Sequence, residues 1–254
     1  MSLKRPLVAV TGASSGIGAA IARRFAKEGF PTVLLARRAE KTAALKREWP
    51  GSHFSYELDV TDGEQVQAVF HRIEKEAGPI GVLVNNAGLA LGLEPAHEAK
   101  IDDWNRMVDT NIRGVIACTH AVLPGMVKRN AGQIINIGST AGRYAYLGAN
   151  VYGATKAFVR QFSLNLRTDL LGKSVRVNCV EPGLLGGSEF SNIRFRGDAA
   201  QAENVYKNTQ PLTPEDVAEV VYFCHALPAH VNLNTIEMMP VAQASAGLTV
   251  KKEK

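Results

Sequence analysis

The sequence predicts an α/β protein: a doubly wound, mostly parallel sheet with helices on both faces. Three observations predict it. Short apolar runs alternate with longer amphipathic stretches along the whole chain, which is the pattern of repeated strand–helix units. The first apolar run enters a glycine-rich turn, Thr11-Gly-Ala-Ser-Ser-Gly-Ile-Gly18, that opens a helical stretch. No linker or low-complexity tract interrupts the alternation, so residues 1–254 are expected to form one domain. Right-handed crossovers between successive strands then wind the sheet in both directions.

The elements follow in order. Leu7 to Thr11 reads as a buried strand, and Gly16 to Gly29 as a helix. In that helix Ile17, Ala20, Ile21, Phe25 and Ala26 lie near helical spacing, and Gly29 is the stop. Thr32 to Ala36 is a second strand, and about Ala39 to Glu48 a helix halted by Pro50-Gly51. His53 to Leu58 resembles a strand, and Asp62 to Ala77 a helix ending at Gly78-Pro79. Val82 to Val84 is a fourth strand, followed by a long helix from about Asp102 to the region of Pro124. Gln133 to Ile137 is a strand, Tyr152 to Leu171 a helix, and Val175 to Val180 a strand. Pro214 to Ala226 is a helix with Thr213 as N-cap, and Thr235 to Met238 closes the series. The stretch 183–209 breaks the rhythm with Gly186-Gly187, Gly197 and many polar residues. A long segment after a late strand is expected to cover a site at the carboxyl ends of the strands.

The composition is that of a globular chain with one large core: 46% hydrophobic and 21% charged over 254 residues. No apolar run approaches the roughly 18 residues of a membrane span. The segment Met1 to Pro6 lacks the apolar region and cleavage site of a secretory signal. Cys118, Cys179 and Cys224 are far apart and lack metal-ligand spacing, so they read as reduced buried thiols of a cytoplasmic protein, and no metal is expected. The net charge is +5, with basic residues dispersed apart from Arg23-Arg24, Arg37-Arg38 and the tail Lys251 to Lys254. No arginine stripe is interleaved with aromatics, which argues against nucleic acid. A mild basic excess suits an anionic cofactor or substrate.

The glycine turn is a candidate dinucleotide site. Gly12, Gly16 and Gly18 permit a tight turn and close backbone approach, and the helix that follows presents unpaired N–H groups. Their spacing is G-x-x-x-G-x-G, distinct from the usual G-x-G-x-x-G fingerprint. The second strand ends in Arg37-Arg38 where an acidic residue would accept a free ribose hydroxyl. Guanidinium groups suit a 2′-phosphate, so NADP(H) is expected over NAD(H). Ser14 is placed to add a hydroxyl to that phosphate, and Asp59-Val60 to flank the adenine. Tyr152 and Lys156 stand one helical turn apart, so phenol and ammonium share a face. A fixed cation favours phenolate and brings proton transfer by tyrosine within reach. The competing reading of that pair is a packed ring beside a solvated charge.

Several segments together resemble the short-chain dehydrogenase/reductase family: Thr11-Gly-x-x-x-Gly-x-Gly18, Asn85-Asn-Ala-Gly88, Asn111, Ser139, Tyr152-x-x-x-Lys156 and Pro182-Gly183. They stand in the family's order across most of the chain. Further segments are similar to its NADP-dependent 3-hydroxy acid dehydrogenases, which act on serine or allo-threonine and reduce malonic semialdehyde. These are Leu89 to His97, Ile134 to Gly142, Asn150 to Leu170, Glu181 to Phe190 and Glu237 to Pro240.

The resemblance implies a single-domain Rossmann fold, an oxidoreductase activity and a homotetramer. It implies that Tyr152 exchanges the hydroxyl proton and that Lys156 lowers the phenol's pKa and binds the nicotinamide ribose. Ser139 would orient the substrate oxygen, and Asn111 would link Lys156 to solvent. Ile17 belongs to the phosphate turn, Asn85, Ala87 and Gly88 support the sheet and the adenosine side, and Pro182 and Gly183 line the nicotinamide. A hydroxy acid or oxo acid substrate needs a cation for its carboxylate. Arg143, Arg194 and Arg196 are the candidates, with the last two preferred because they lie in the covering segment, and Tyr146 helps shape the pocket. An NADPH-dependent carbonyl reductase acting on uncharged ketones, and a non-catalytic NADP(H) sensor, remain alternatives.

Overall fold

A computed structural model describes residues 5–245. The basic tail Lys251 to Lys254 and the first four residues lie outside that range. Among the described residues seven strands form one sheet: β1 (Leu7–Thr11), β2 (Thr32–Ala36), β3 (His53–Glu57), β4 (Ile80–Asn85), β5 (Gly132–Ile137), β6 (Val175–Pro182) and β7 (Thr235–Met238). Their spatial order is β3-β2-β1-β4-β5-β6-β7, and every neighbouring pair is parallel. The sheet is thus wholly parallel, since each strand-to-strand connection crosses over rather than hairpinning. Strand order reverses between β1 and β4, and the crevice outside their carboxyl ends is where ligands of such sheets bind.

The helices are α1 (Gly16–Lys27), α2 (Ala39–Arg47), α3 (Gly63–Glu76), α4 (Ile101–Val108), α5 (Gly114–Arg129), α6 (Asn150–Asp169), α7 (Phe190–Arg194), α8 (Ala199–Asn204) and α9 (Pro214–Ala226). Side chains of a strand alternate between the two faces of the sheet, and the core divides accordingly. Leu7, Ala9, Val33 and Leu35 pack with Phe70 of α3, Val122 of α5 and Leu166 of α6. Val8, Val10 and Leu34 pack with Ile21 and Phe25 of α1 and Val221 of α9. Both faces are covered, so the inner strands are continuous apolar runs rather than alternating ones.

Several elements differ from the sequence expectation. The helix expected to end near Pro124 continues to Arg129, where Asn130 adopts a left-handed conformation at φ 49°. Val122 and Met126, on either side of the proline, are fully buried, and their packing holds the helix across the missing hydrogen bond. That helix also begins as α4 and passes through a π turn, Asp109–Arg113, before α5. The covering segment 183–209 is more ordered than its composition suggests, because it contains α7 and α8, the latter capped by the Asp198 carboxylate accepting from Gln201 N. Thr213 caps α9 as expected, in a reciprocal capping box with Asp216. No helix among the described residues is long and apolar enough to cross a membrane.

Candidate active site

The exits of β1 and β4 are stitched together by side chains. Thr11 Oγ1 accepts from the backbone N–H groups of Asn86 and Ala87, both at 3.0 Å. Asn86 Nδ2 donates to Thr11 O at 2.9 Å. Gly12 and Gly16 sit at φ +66° and +53°, the left-handed region that favours glycine. Gly18 is needed for a different reason: a Cβ there would press on the Gly12 carbonyl and the Asn86 amide. The turn therefore lies flat against the sheet with α1 opening above it. Asn86 was not singled out by its sequence context, although it stands inside the recognised Asn-Asn-Ala-Gly run.

Above this turn lies a cleft of about 520 Å³. Of the residues expected at the cofactor site, Gly12, Gly16, Ile17, Ala87, Gly88, Pro182 and Gly183 line it. Asn85 does not. It is buried one layer below, where Nδ2 donates to Thr119 Oγ1 and Asn136 Oδ1, and Asn136 passes the chain on to Ser163. Its part is to brace the sheet. At the outer end, Arg37 is solvent-exposed, while Arg38 turns inward and donates to the hydroxyls of Ser14 and Ser15 at 3.0 and 3.1 Å. Asp59 closes the turn after β3, accepting from Thr61 N and Thr61 Oγ1. Val60 is buried against Gly114, and neither residue lines the cleft.

The reacting groups converge at the inner end. Ser139 leaves β5 in an extended conformation and caps the short turn Thr140–Gly142. Its hydroxyl lines the cleft together with Tyr152 and Lys156, which occupy the first turns of α6. Tyr152 is 8% exposed. Burial pushes its phenol up to about 12, opposed by the Ser139 hydroxyl and the Arg194 charge. Lys156 is buried and donates from Nζ to the Ile137 carbonyl at 2.8 Å, and burial pushes its ammonium down to about 8.

A second cation, Arg194, also acts on Tyr152: its guanidinium lies 5.6 Å from the ring centroid. Sharing a helix face brings Lys156 and Tyr152 into one site, where the ammonium donates to the last carbonyl of β5.

Asn111 lies in the π turn, fully buried. It exchanges hydrogen bonds with the backbone of Leu89 at 2.9 and 2.8 Å and donates to Thr155 at 3.0 Å. Its amide is thus committed to the loop after β4. A Cβ on Gly88 would stand 3.2 Å from Asn111 Oδ1 and 3.5 Å from Lys156 Nζ, so the three residues are immediate neighbours.

The three arginines expected at the substrate separate cleanly. Arg143 does not line the cleft, because it pairs with Glu181, whose side chain is 0% exposed, and lies near Glu237. A buried carboxylate requires a cation, and Arg143 supplies it. Arg196 is likewise withdrawn, pairing with Glu94 at 2.7 Å and Asp103 at 2.6 Å. These pairs tie the covering segment to the loop after β4 and to α4, and Gly92 N donating to Arg194 O at 3.0 Å adds to the first. Arg194 alone lines the cleft. Its Nε donates to Gly92 O at 3.2 Å, and its Nη2 is buried with no hydrogen-bond partner among the described residues. Tyr146 also lines the cleft, 5.5 Å from the Arg194 guanidinium.

The remaining wall is largely apolar: Leu93, Leu147, Phe190, Ile193 and Phe195. Phe190 stands 5.8 Å from the Tyr152 ring. Gln243 closes the far side by accepting from Leu184 N at 2.7 Å. No local pattern marks these residues as site residues, since they meet only when the covering segment folds back.

A family model, short chain dehydrogenase, matches residues 6–195. The chain belongs to the short-chain dehydrogenase family. It is 56% identical over 247 residues to the NADP-dependent 3-hydroxy acid dehydrogenase YdfG of Escherichia coli K12, covering 97% of this chain and all of that protein. It is 44% identical to the serine 3-dehydrogenase of Agrobacterium fabrum over 246 residues, 97% of this chain and 98% of that one. The closed form of a serine dehydrogenase complexed with NADP+ superposes with a TM-score of 0.95 at 55% identity, over 97% of this chain and 100% of the other.

If Tyr152 carries the proton, its burial sets the pH response. A phenol pushed up to about 12 is protonated at neutrality, ready to donate in reduction, while its base form is scarce. Alcohol oxidation, which needs the phenolate, should therefore accelerate between about pH 7 and 10, and carbonyl reduction should not. Profiles of kcat/KM in both directions test this, and an oxidation rate flat in pH would remove Tyr152 from the role of base.

Proposed function

We propose that this chain is an NADP(H)-dependent 3-hydroxy acid dehydrogenase, acting on small substrates of the serine, allo-threonine or malonic semialdehyde type. The observation that carries the reading is Arg194. Its unpartnered Nη2 is buried at a cleft that also holds Ser139 and Tyr152. A buried guanidinium nitrogen without a partner is costly, and a substrate carboxylate would satisfy it through a charge-assisted hydrogen bond.

The chain fits the cofactor independently. The glycine turn offers a flat cradle at a helix N-terminus, and Arg38 with Ser14 and Ser15 forms a cationic, hydroxyl-rich corner at the end of β2. When bound, NADP(H) supplies or accepts the hydride. Ser139 orients the substrate oxygen, Tyr152 takes or returns its proton, and Lys156 holds the ribose side while Asn111 fixes the loop beside it. Arg194 fixes the carboxylate, which places the 3-position against the phenol. Segment 183–209 acts as a lid that excludes water, and residues 1–254 act as a single domain.

The apolar wall favours a second reading, reduction of uncharged ketones. A panel of 3-hydroxy acids and neutral ketones, assayed by NADPH absorbance with both cofactors, decides between them. Hydroxy acids with NADP+ should give the highest kcat/KM. Neutralising Arg37 and Arg38 together should lower the NADP+/NAD+ ratio of kcat/KM at least tenfold, about 1.4 kcal/mol. An unchanged ratio would refute the phosphate assignment.

The assembly we propose is a cytoplasmic homotetramer with α4–α5 and α6 at one interface. Ile101 and Ile116, on α4 and α5, are exposed apolar residues that such a contact would cover. Sedimentation equilibrium is the corresponding measurement.

A further inference from the structure

The corner assigned above to the cofactor's 2′-phosphate already holds an anion, and it belongs to the chain itself. Glu189, the residue preceding α7, directs its carboxylate into this corner from 151 positions away in sequence. Arg38 grips it with both terminal nitrogens, Nη1 to Oε1 at 3.1 Å and Nη2 to Oε2 at 2.6 Å. Ser15 Oγ donates to Oε2 at 3.0 Å, and Lys41 Nζ approaches Oε1 at 3.3 Å. The adjacent Ser188 sits over the glycine turn, 3.1 Å from where a Cβ on Gly16 would stand. Four donors from three residues thus converge on one carboxylate, using the forked face of the guanidinium that a phosphate would use.

We propose that Glu189 is a specificity-determining residue that competes with the 2′-phosphate for Arg38, Ser15 and Lys41, so that NADP(H) binding displaces it. The inference rests on the assignment of Arg38 to the 2′-phosphate. Two anions cannot share one forked guanidinium face without repulsion, so the carboxylate must swing out or give up its hydrogen bonds when the phosphate enters. A cofactor with a free 2′-hydroxyl carries no anion at this position and leaves the carboxylate in place. Glu189 therefore lowers affinity for the phosphorylated cofactor selectively. It also links occupancy of this corner to the lid, because Glu189 and Arg194 flank the same short helix. Arg38 and Glu189 are each 40% exposed, which sets the competition at the modest strength of a partly solvated ion pair.

The test is calorimetric binding, without turnover, of four probes: NADP+, NAD+, adenosine 2′,5′-bisphosphate and 5′-AMP. Wild type is compared with Glu189→Gln and Arg38→Gln. Glu189→Gln should tighten NADP+ and the bisphosphate about fivefold and leave NAD+ and 5′-AMP within about twofold. Their retained binding also reports an intact fold. Unchanged or weaker NADP+ binding by Glu189→Gln would overturn the proposal and make Glu189 a residue that orients Arg38. If Arg38→Gln binds the bisphosphate as tightly as wild type, the phosphate assignment itself fails. The Arg38 variant therefore separates failure of the underlying reading from failure of the Glu189 inference.

Discussion

Replacing Tyr152 with Phe should lower kcat on the order of 10³-fold in both directions while leaving NADP+ affinity nearly unchanged. The phenol is the buried group proposed to transfer the proton, and it stands with Ser139 at the inner end of the cleft. Phe keeps the ring, and with it the packing against Phe190 and the hydrophobic cluster of Leu89, Leu91 and Met107. The substitution thus removes one oxygen and little else. Fluorescence quenching by NADP+ and single-turnover kinetics separate binding from chemistry. Equal losses in affinity and rate would indicate a collapsed site, and full activity would assign the proton to another group. Replacing Lys156 with Met should impair cofactor binding as well, because its buried ammonium lines the cleft and is proposed to hold the ribose.

Replacing Arg194 with Gln should lower kcat/KM for 3-hydroxy acids by roughly 10- to 100-fold, the worth of a hydrogen bond to a charged group. Reduction of an uncharged ketone should change far less. The comparison matters because Arg194 also ties the lid to Gly92 and lies over the Tyr152 ring, so a merely structural role would depress both substrates equally. Arg196→Gln serves as the contrast. It breaks the pairs to Glu94 and Asp103, so it should slow both substrate classes alike through a looser lid. Equal losses for acid and ketone in Arg194→Gln would reject the carboxylate assignment.

Much of the fold was legible before any coordinates. The apolar runs 7–11, 32–36 and 133–137 are strands because fully buried parallel strands need side chains that are apolar on both faces. The reach of β4 back to Ile80 and of β6 on to Pro182 was not legible, because strand ends are set by the neighbour's register. Pro124 misled for the same kind of reason. A local rule ended the helix there, and burial of Val122 and Met126 overrode it.

The site divides along similar lines. Gly12, Gly16, Tyr152 and Lys156 are recognisable because each belongs to a short local pattern whose spacing encodes a turn or a helix face, whereas Ser139 enters only through the family resemblance. Arg143, Arg194 and Arg196 were indistinguishable as sequence. Their fates depend on partners 38 to 102 positions away, Glu181 for Arg143 and Glu94, Asp103 and Gly92 for the other two. Arg194 stands beside the phenol for the same reason, since segment 183–209 brings it there from outside the helix.

By itself, then, the sequence determined the family, through motifs in a fixed order, and the wholly local elements of the glycine turn and of the Tyr152–Lys156 helix face. The local elements follow from backbone conformation and one-turn spacing, which neighbouring residues dictate. Only the tertiary structure decided which arginine faces the substrate, which is consumed by the buried Glu181, and that Glu189 enters the phosphate corner. Charge pairing is settled by distance in space, and here the deciding partners come from the lid and from distant strands.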